Sequence, residues 1–237
     1  MGGKPLLWHV MRWYAAWGHT DFVLCLGHRA QAVVDWFLTE AGDVLTEPAG
    51  GGHHAVRVLS GELAGWRVVF ADTGVAASVG MRLRAVRELV DDDVFLANYA
   101  DTFCDVPLDE HVALARRSGA TATFLAVRPN HSFHVVLADA EGWVDEVVPA
   151  VKSEQWINGG FFVLRPELFD VLGAGEELVE EPFARLAAAR RLLAHRYEGF
   201  WVPLDTVKDR HLLQDMWARG DRPWAVWDRP ATVAVAP

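Results

Sequence analysis

Residues 156–164, WINGGFFVL, place two adjacent glycines directly before a continuous apolar run. A short apolar run bounded by glycines is typical of a strand that is buried on both faces. A Gly-Gly pair lets the backbone approach a ligand or another segment closely. Downstream, residues 199–209, GFWVPLDTVKD, put Asp205 in a turn just after an aromatic, apolar stretch. These two segments predict a central strand beside a cleft. The Asp205 carboxylate follows a strand end, a position from which carboxylates often bind magnesium.

Apolar periodicity on either side of this strand alternates between helical and extended spacing. It predicts helices at 5–17, 30–39, 81–90, 107–118, 180–191 and 211–219. It predicts strands at 21–26, 66–71, 93–99, 120–127, 161–164 and 196–202, a hairpin over 133–138 and 142–148, and a mobile glycine-rich loop over 48–54. Alternation of this kind is the pattern of a parallel sheet covered by helices.

The composition bounds the class of protein. A length of 237 residues with 51% apolar content suits one α/β domain, expected over 1–228 with a loosely held tail over 229–237. A net charge of −10 without a basic stripe argues against nucleic acid as a partner.

Nothing in the sequence predicts export or a disulfide framework. Cys25 and Cys104 are the two cysteines, too few for such a framework. Residues 1–5 do not resemble a signal peptide, and no apolar run is long enough to span a membrane. We expect a cytoplasmic protein with no membrane partner.

Asp101 stands at the carboxyl end of the predicted strand 93–99, where open α/β sheets bind ligands. Asp101 and Asp205 each have an alternative interpretation as a helix N-cap or turn residue. Two neighbouring histidines, His53 and His54, follow three glycines with no third ligand at fixed spacing. They indicate a solvated loop rather than a metal site.

Short motifs spread along the chain resemble, in order and spacing, the glucose-1-phosphate cytidylyltransferases, a group of the sugar-nucleotide pyrophosphorylases. They are GGKPLLWH at 2–9, CLG at 25–27, DTG at 72–74, NYAD at 98–101, INGGFFVL at 157–164, EP at 181–182, GFWVPLDTVKD at 199–209, and PW at 223–224 with Trp227. The resemblance covers residues 2 to about 228. It implies a Rossmann-like, three-layer α/β sandwich with a mixed, mostly parallel sheet, shortened at its N-terminus.

The resemblance also implies a reaction and a set of site residues. A sugar-1-phosphate oxygen attacks the α-phosphorus of CTP, and pyrophosphate leaves. The matched catalytic carboxylates and magnesium ligands are Asp101 and Asp205. The matched substrate-binding residues are Thr73, Gly74, Arg82, Tyr99, Asn158, Gly159, Gly160, Glu181 and Trp201. Glu181 has an equal alternative as a first-turn acid of a helix, and Arg82 an alternative as a solvated helix residue.

The sequence departs from the family pattern at four places. It begins after the family's Gly-rich triphosphate loop. The family's sugar-phosphate lysine is matched by Val148, and a glycine near the sugar by His134. Both glycines that flank the family's aspartate are lost around Asp101. His134 becomes a candidate acid or base together with Asp101; His131 is a weaker candidate, with a polar loop as its alternative.

These departures leave three functions open. The first is a family member that handles a sugar phosphate or nucleotide sugar. The second is a repurposed enzyme acting on another small molecule in a biosynthetic pathway, and the third a non-catalytic homologue that binds a partner subunit. Mg²⁺ is expected if nucleotidyl transfer is retained, and otherwise no cofactor. We expect a small-molecule ligand in the cleft. We also expect a homo-oligomer, because a missing first strand leaves a gap in the sheet unless the recorded start is misassigned.

Overall fold

The computed structural model describes residues 1–129 and 134–229. Its α-helices are α1 (Leu6–Ala16), α2 (Ala30–Thr39), α3 (Val79–Ala85), α4 (Leu108–Ser118), α5 (Leu168–Val171), α6 (Glu181–Ala188) and α7 (Val207–Arg219). Its strands are β1 (Asp21–Leu26), β2 (Val44–Pro48), β3 (His54–Val58), β4 (Arg67–Asp72), β5 (Phe95–Asn98), β6 (Thr102–Cys104), β7 (Ala122–Val127), β8 (His134–Ala138), β9 (Val144–Pro149), β10 (Ile157–Leu164), β11 (Leu192–Tyr197) and β12 (Trp201–Pro203).

The described strands form two four-stranded sheets, ordered β1-β4-β3-β2 and β11-β7-β10-β5. Strands β6 and β12, and strands β8 and β9, form two further pairs. The mixed α/β fold is confirmed, with one correction: pairing is mostly antiparallel rather than mostly parallel. In the described part of the chain only β1–β4 and β7–β11 pair in parallel. The short connection between β2 and β3 enforces a hairpin, and β10 runs antiparallel to both β5 and β7.

Helices cover both faces of the β11-β7-β10-β5 sheet. Leu108 of α4 packs in the core on one face with Leu125 and Phe161. Phe183 and Leu186 of α6 pack in the core on the other face. The three-layer arrangement is therefore confirmed around this sheet, and β10 is buried throughout 159–164.

Each sheet ends on an apolar edge strand, β1 in one and β5 in the other. The residues at 22–26 and 95–98 are only half-buried, although their sequences are those of strands covered on both sides. Helix α1 links the two sheets. Its Trp8 and Met11 pack in the core of the β1 sheet, and its Trp13 packs in the core beside β7 and β10.

Several predicted boundaries needed adjustment. The predicted helix 81–90 is α3 followed by a short 3₁₀ turn, Arg87–Leu89. The predicted helix 180–191 ends at Ala188, so that β11 begins at Leu192. The predicted strand 196–202 is divided between β11 and β12, and the glycine-rich stretch 48–54 is the tight connection of the β2–β3 hairpin. His131 and the tail from residue 230 lie outside the described residues. No helix in the described ranges has the length and apolarity to cross a membrane.

Candidate functional site

The two glycines of β10 shape the wall of the cleft. The pairing of β10 with β7 is irregular between Asn158 and Phe162. Gly160 has a φ of +75°, and a Cβ there would lie 2.5 Å from Cδ2 of Tyr99. A Cβ at Gly159 would lie 3.2 Å from Nε1 of Trp201. Position 160 therefore needs glycine for Tyr99 to pack against the backbone, and a Cβ at position 159 would make a tight contact with Trp201.

Asn158 joins this glycine turn to Tyr99. Its Oδ1 accepts from the Gly160 N–H at 2.9 Å, and its Nδ2 donates to the Tyr99 hydroxyl at 3.2 Å. The Trp201 indole donates to the Gly159 carbonyl at 2.8 Å. Burial raises the pKa of Tyr99, the hydrogen bond from Asn158 opposes that rise, and the charges of Glu177 and then Asp101 add to it. The predicted residues Tyr99, Asn158, Gly159, Gly160 and Trp201 therefore form one bonded cluster.

Asp101 and Asp205 are brought together by the β6–β12 pair. Asp101 directly precedes β6, Asp205 follows β12, and the Leu204 N–H donates to the Asp101 carbonyl at 2.8 Å. Thr206 is the N-cap of α7, so the N-cap alternative does not apply to Asp205. Asp101 occupies a turn, as its alternative interpretation held.

The electrostatics of this pair are unfavourable without a cation. Partial loss of hydration raises the pKa of Asp101, and the charge of Asp205 raises it further. Asp101 is exposed by surface area, so the loss of hydration comes from the surrounding protein atoms rather than from complete enclosure.

The pair fits a magnesium ion. Mg²⁺ is usually held by one or two carboxylates, with waters and substrate phosphates completing the shell. Within residues 1–129 and 134–229, no three His, Cys, Asp or Glu side chains converge on a common point. Two carboxylates that repel each other therefore suit a metal that arrives with a phosphate ligand, rather than a metal enclosed by protein.

A second cluster lies at the carboxyl ends of β1 and β4. The Arg82 guanidinium donates to the Leu26 carbonyl at 3.3 Å and to the Thr73 hydroxyl at 2.8 Å. Gly74 has a φ of +89°, and a Cβ on Gly27 would lie 2.9 Å from the Gly74 carbonyl oxygen. Arg82 is thus half-buried and bonded to the sheet rather than solvated. Substrate contact by Thr73, Gly74 and Arg82 stays a prediction.

Two candidates lie apart from these clusters. Glu181 is the first residue of α6 and is exposed, as the first-turn interpretation expected. His134 begins β8, opposite Pro149, and is exposed on the separate β8–β9 pair. Among the described contacts, none joins His134 to Asp101 or Asp205. Sugar binding by Glu181 and acid–base action by His134 stay predictions.

A cleft of about 430 Å³ adjoins Asn158, and its charged lining residue was not predicted from the sequence. Arg196 of β11 and Trp156 also line this cleft. The only available signal was the alternation along the predicted strand 196–202, which does not distinguish an arginine in a cleft from one in solvent. The other lining residues are Phe124, Ala126, Ile157, Val179, Phe183 and Ala194.

Comparison with known proteins gives close relatives in sequence, although no family model matches the chain. The chain is 33% identical over 234 residues to a glucose-1-phosphate cytidylyltransferase of Salmonella typhi, covering 96% of this chain and 90% of the relative. It is 32% identical over 231 residues to a probable glucose-1-phosphate cytidylyltransferase of Bacillus subtilis, covering 96% and 89%.

Solved structures of low sequence identity share the fold. A UDP-glucose pyrophosphorylase complexed with UDP-glucose has a TM-score of 0.64 at 13% identity, covering 92% of this chain and 88% of that one. A putative glucose-1-phosphate thymidylyltransferase of Bacillus anthracis has a TM-score of 0.60 at 13% identity, covering 92% and 83%. These similarities confirm the nucleotidyltransferase-like fold.

Proposed function

The chain belongs to the glucose-1-phosphate cytidylyltransferase family, and on that premise we propose that it binds a sugar 1-phosphate or nucleotide sugar in the cleft beside β10, with Mg²⁺ at Asp101 and Asp205. Homologues of this family are sugar-phosphate nucleotidyltransferases. We propose transfer of a nucleotidyl group to the sugar phosphate as the reaction that this site would serve.

One observation carries the proposal: the Asp101–Asp205 pair adjoins the glycine turn of β10. Tyr99 lies two residues before Asp101, its N–H donates to the Gly160 carbonyl at 3.0 Å, and its hydroxyl accepts from Asn158 at 3.2 Å. Through Tyr99, the segment that carries Asp101 is therefore joined to the turn that carries Asn158 and Gly160. The phosphates of the nucleotide would then bind beside the carboxylates, and the sugar would lie against Asn158.

The chain's own residues would act by positioning and electrostatics. Asn158 keeps one amide hydrogen and one lone pair beyond its two described bonds, which suits a sugar hydroxyl. The glycine turn gives a ligand close access to the backbone. Asp101 and Asp205 would hold Mg²⁺, which supplies neutralisation of phosphate charge when bound. Nucleotidyl transfer between phosphates needs no covalent link to the protein, so positioning can supply much of the rate enhancement.

Isothermal titration with CDP-glucose, with Mg²⁺ and then with EDTA, tests the proposal. We expect binding that depends on Mg²⁺ and is weakened on the order of tenfold or more by Asp205→Asn, which removes one ligand of the metal. Asp215→Asn is the matched control, because Asp215 is an exposed carboxylate of α7 outside the site. Absence of binding by CDP-glucose, CTP and glucose 1-phosphate alike would contradict the proposal.

A further inference from the structure

A row of three residues crosses the sheet at the cleft. Asn158 of β10 pairs with Ala126 of β7, and Ala126 pairs on its other side with Arg196 of β11. Directly paired residues point to the same face of a sheet, and all three line the cleft. Two strand spacings separate the backbones of Asn158 and Arg196 by roughly 10 Å. The small side chain of Ala126 between them leaves a slot with an amide at one end and a cation at the other.

The cation at that end has no carboxylate partner in the part of the chain that the structure describes. The ion pairs there use other arginines and Lys4, and none involves Arg196. The nearby Arg128, in contrast, lies 3.8 Å from Glu198 and donates to the Ser153 carbonyl at 3.2 Å. The donors of the Arg196 guanidinium therefore remain available to an anion in the cleft.

The Arg196 guanidinium lies against the indole ring of Trp156. The Arg196 guanidinium stands 5.4 Å from the centre of the Trp156 ring, and Arg128 stands 4.1 Å from the same ring. Cations within about 6 Å of an indole face are attracted to its π electrons. Because Arg128 is paired with Glu198, Arg196 is the cation at this end of the slot that is left for an anion.

We propose that Arg196 is the phosphate-binding cation of this cleft, and that a sugar phosphate lies along the Asn158–Ala126–Arg196 row with its hydroxyls at Asn158 and its phosphate at Arg196. This inference rests on the proposed function and adds to it the residue that contacts the phosphate of the sugar. The volume of about 430 Å³ falls in the range of small-ligand pockets. A planar guanidinium can hold two phosphate oxygens at once.

The assignment explains how the site binds phosphate with Val148 in place of a lysine. Val148 is half-buried on β9, opposite Val135, and carries no charge. Arg196 supplies a cation from a different strand, β11. The phosphate contact would thus be made by the sheet itself rather than by the β8–β9 hairpin.

Titration of the full chain with glucose 1-phosphate, glucose and glucuronate tests the inference. We expect glucose 1-phosphate to bind most tightly, and Arg196→Ala to weaken its binding on the order of tenfold to a hundredfold while glucose is unaffected. Arg196→Lys should lose less affinity for glucose 1-phosphate than Arg196→Ala, because lysine keeps the positive charge although it lacks the paired donors. Lys152→Ala is the matched control and should match the unaltered protein, since Lys152 is an exposed cation outside the cleft. Circular dichroism verifies that each variant is folded.

A second measurement needs no variant. Raising the salt concentration should weaken the binding of glucose 1-phosphate but not the binding of glucose. Equal affinity of Arg196→Ala and the unaltered protein for glucose 1-phosphate, no salt dependence, or tighter binding of glucuronate would overturn the inference. If CDP-glucose still bound with Mg²⁺ in that case, the proposed function would stand. Binding of neither CDP-glucose nor glucose 1-phosphate by the unaltered protein would overturn both.

Discussion

The main-chain N–H of Leu204 donates a 2.8 Å hydrogen bond to the carbonyl of Asp101, and this bond sets Asp205 beside Asp101. The pKa of Asp101 is raised by lost hydration and then by the charge of Asp205. A carboxyl group with a raised folded-state pKa adds to stability at low pH, and that contribution is lost as the pH rises through the raised pKa. Above this raised pKa, placing the two carboxylates side by side therefore lowers the folding stability while it concentrates negative charge at the site.

Asp205→Asn should therefore lower the pKa of Asp101 part of the way towards its usual value, because the lost hydration, which is the larger cause, remains. It should also remove the rise in melting temperature that Mg²⁺ gives the unaltered protein. Carboxyl ¹³C NMR titration and thermal melts with and without Mg²⁺ measure both effects. Asp215→Asn should change neither, and a pKa of Asp101 that is unmoved in Asp205→Asn would disprove the pairing.

Gly160→Ala should destabilise the protein more than Gly142→Ala. Both glycines have positive φ, +75° and +91°, so an alanine at either costs about 1 kcal/mol or more from backbone strain. Only at Gly160 does the new Cβ meet another atom, Cδ2 of Tyr99 at 2.5 Å, while nothing lies within 4 Å of a Cβ at Gly142.

Urea unfolding gives the difference between these two variants, and near-UV circular dichroism shows whether the environment of Tyr99 changes. We expect an excess loss for Gly160→Ala on the order of 1–3 kcal/mol, the usual cost of overpacking. Equal losses for the two variants would mean that Tyr99 is not packed against the turn.

Acid should weaken the fold through His111. Its Nδ1 lies 2.9 Å from Nδ1 of His195, and His111 is fully buried. Burial, and then the neighbouring His195, lower the pKa of His111 from 6.5 to about 4. Because the unfolded chain takes up a proton at higher pH than the folded one, this stability is present above pH 6.5 and is lost as the pH falls towards 4.

The loss from His111 between pH 7 and pH 5 should be about 2 kcal/mol by proton linkage. His111→Gln, which stays neutral, should reduce the acid sensitivity by about that amount in urea unfolding at the two pH values. Part of the sensitivity should persist, because burial also lowers the pKa of His9 to about 4. His211→Gln, which replaces an exposed histidine, is the control and should leave the acid sensitivity unchanged. An unchanged pH dependence in His111→Gln would refute the role of His111.

Local periodicity predicted much of the fold: β1 and α2 have the predicted bounds, and Asp101 follows the predicted strand. The pairing of β10 was not predictable in the same way, because its two antiparallel neighbours are distant in sequence. The His111–His195 contact joins residues 84 positions apart, and only the folded chain brings them together. Arg196 was missed because a charged residue on a strand most often faces solvent; Arg196 is indeed exposed, and only the fold shows that it also borders a cleft.

The most direct test is a crystal structure of the chain soaked with CDP-glucose and Mn²⁺, whose anomalous scattering locates the metal. We predict a metal peak between Asp101 and Asp205, with the glucosyl group against Asn158 and a phosphate at Arg196. A metal peak away from both aspartates, or CDP-glucose bound outside the cleft beside β10, would contradict it.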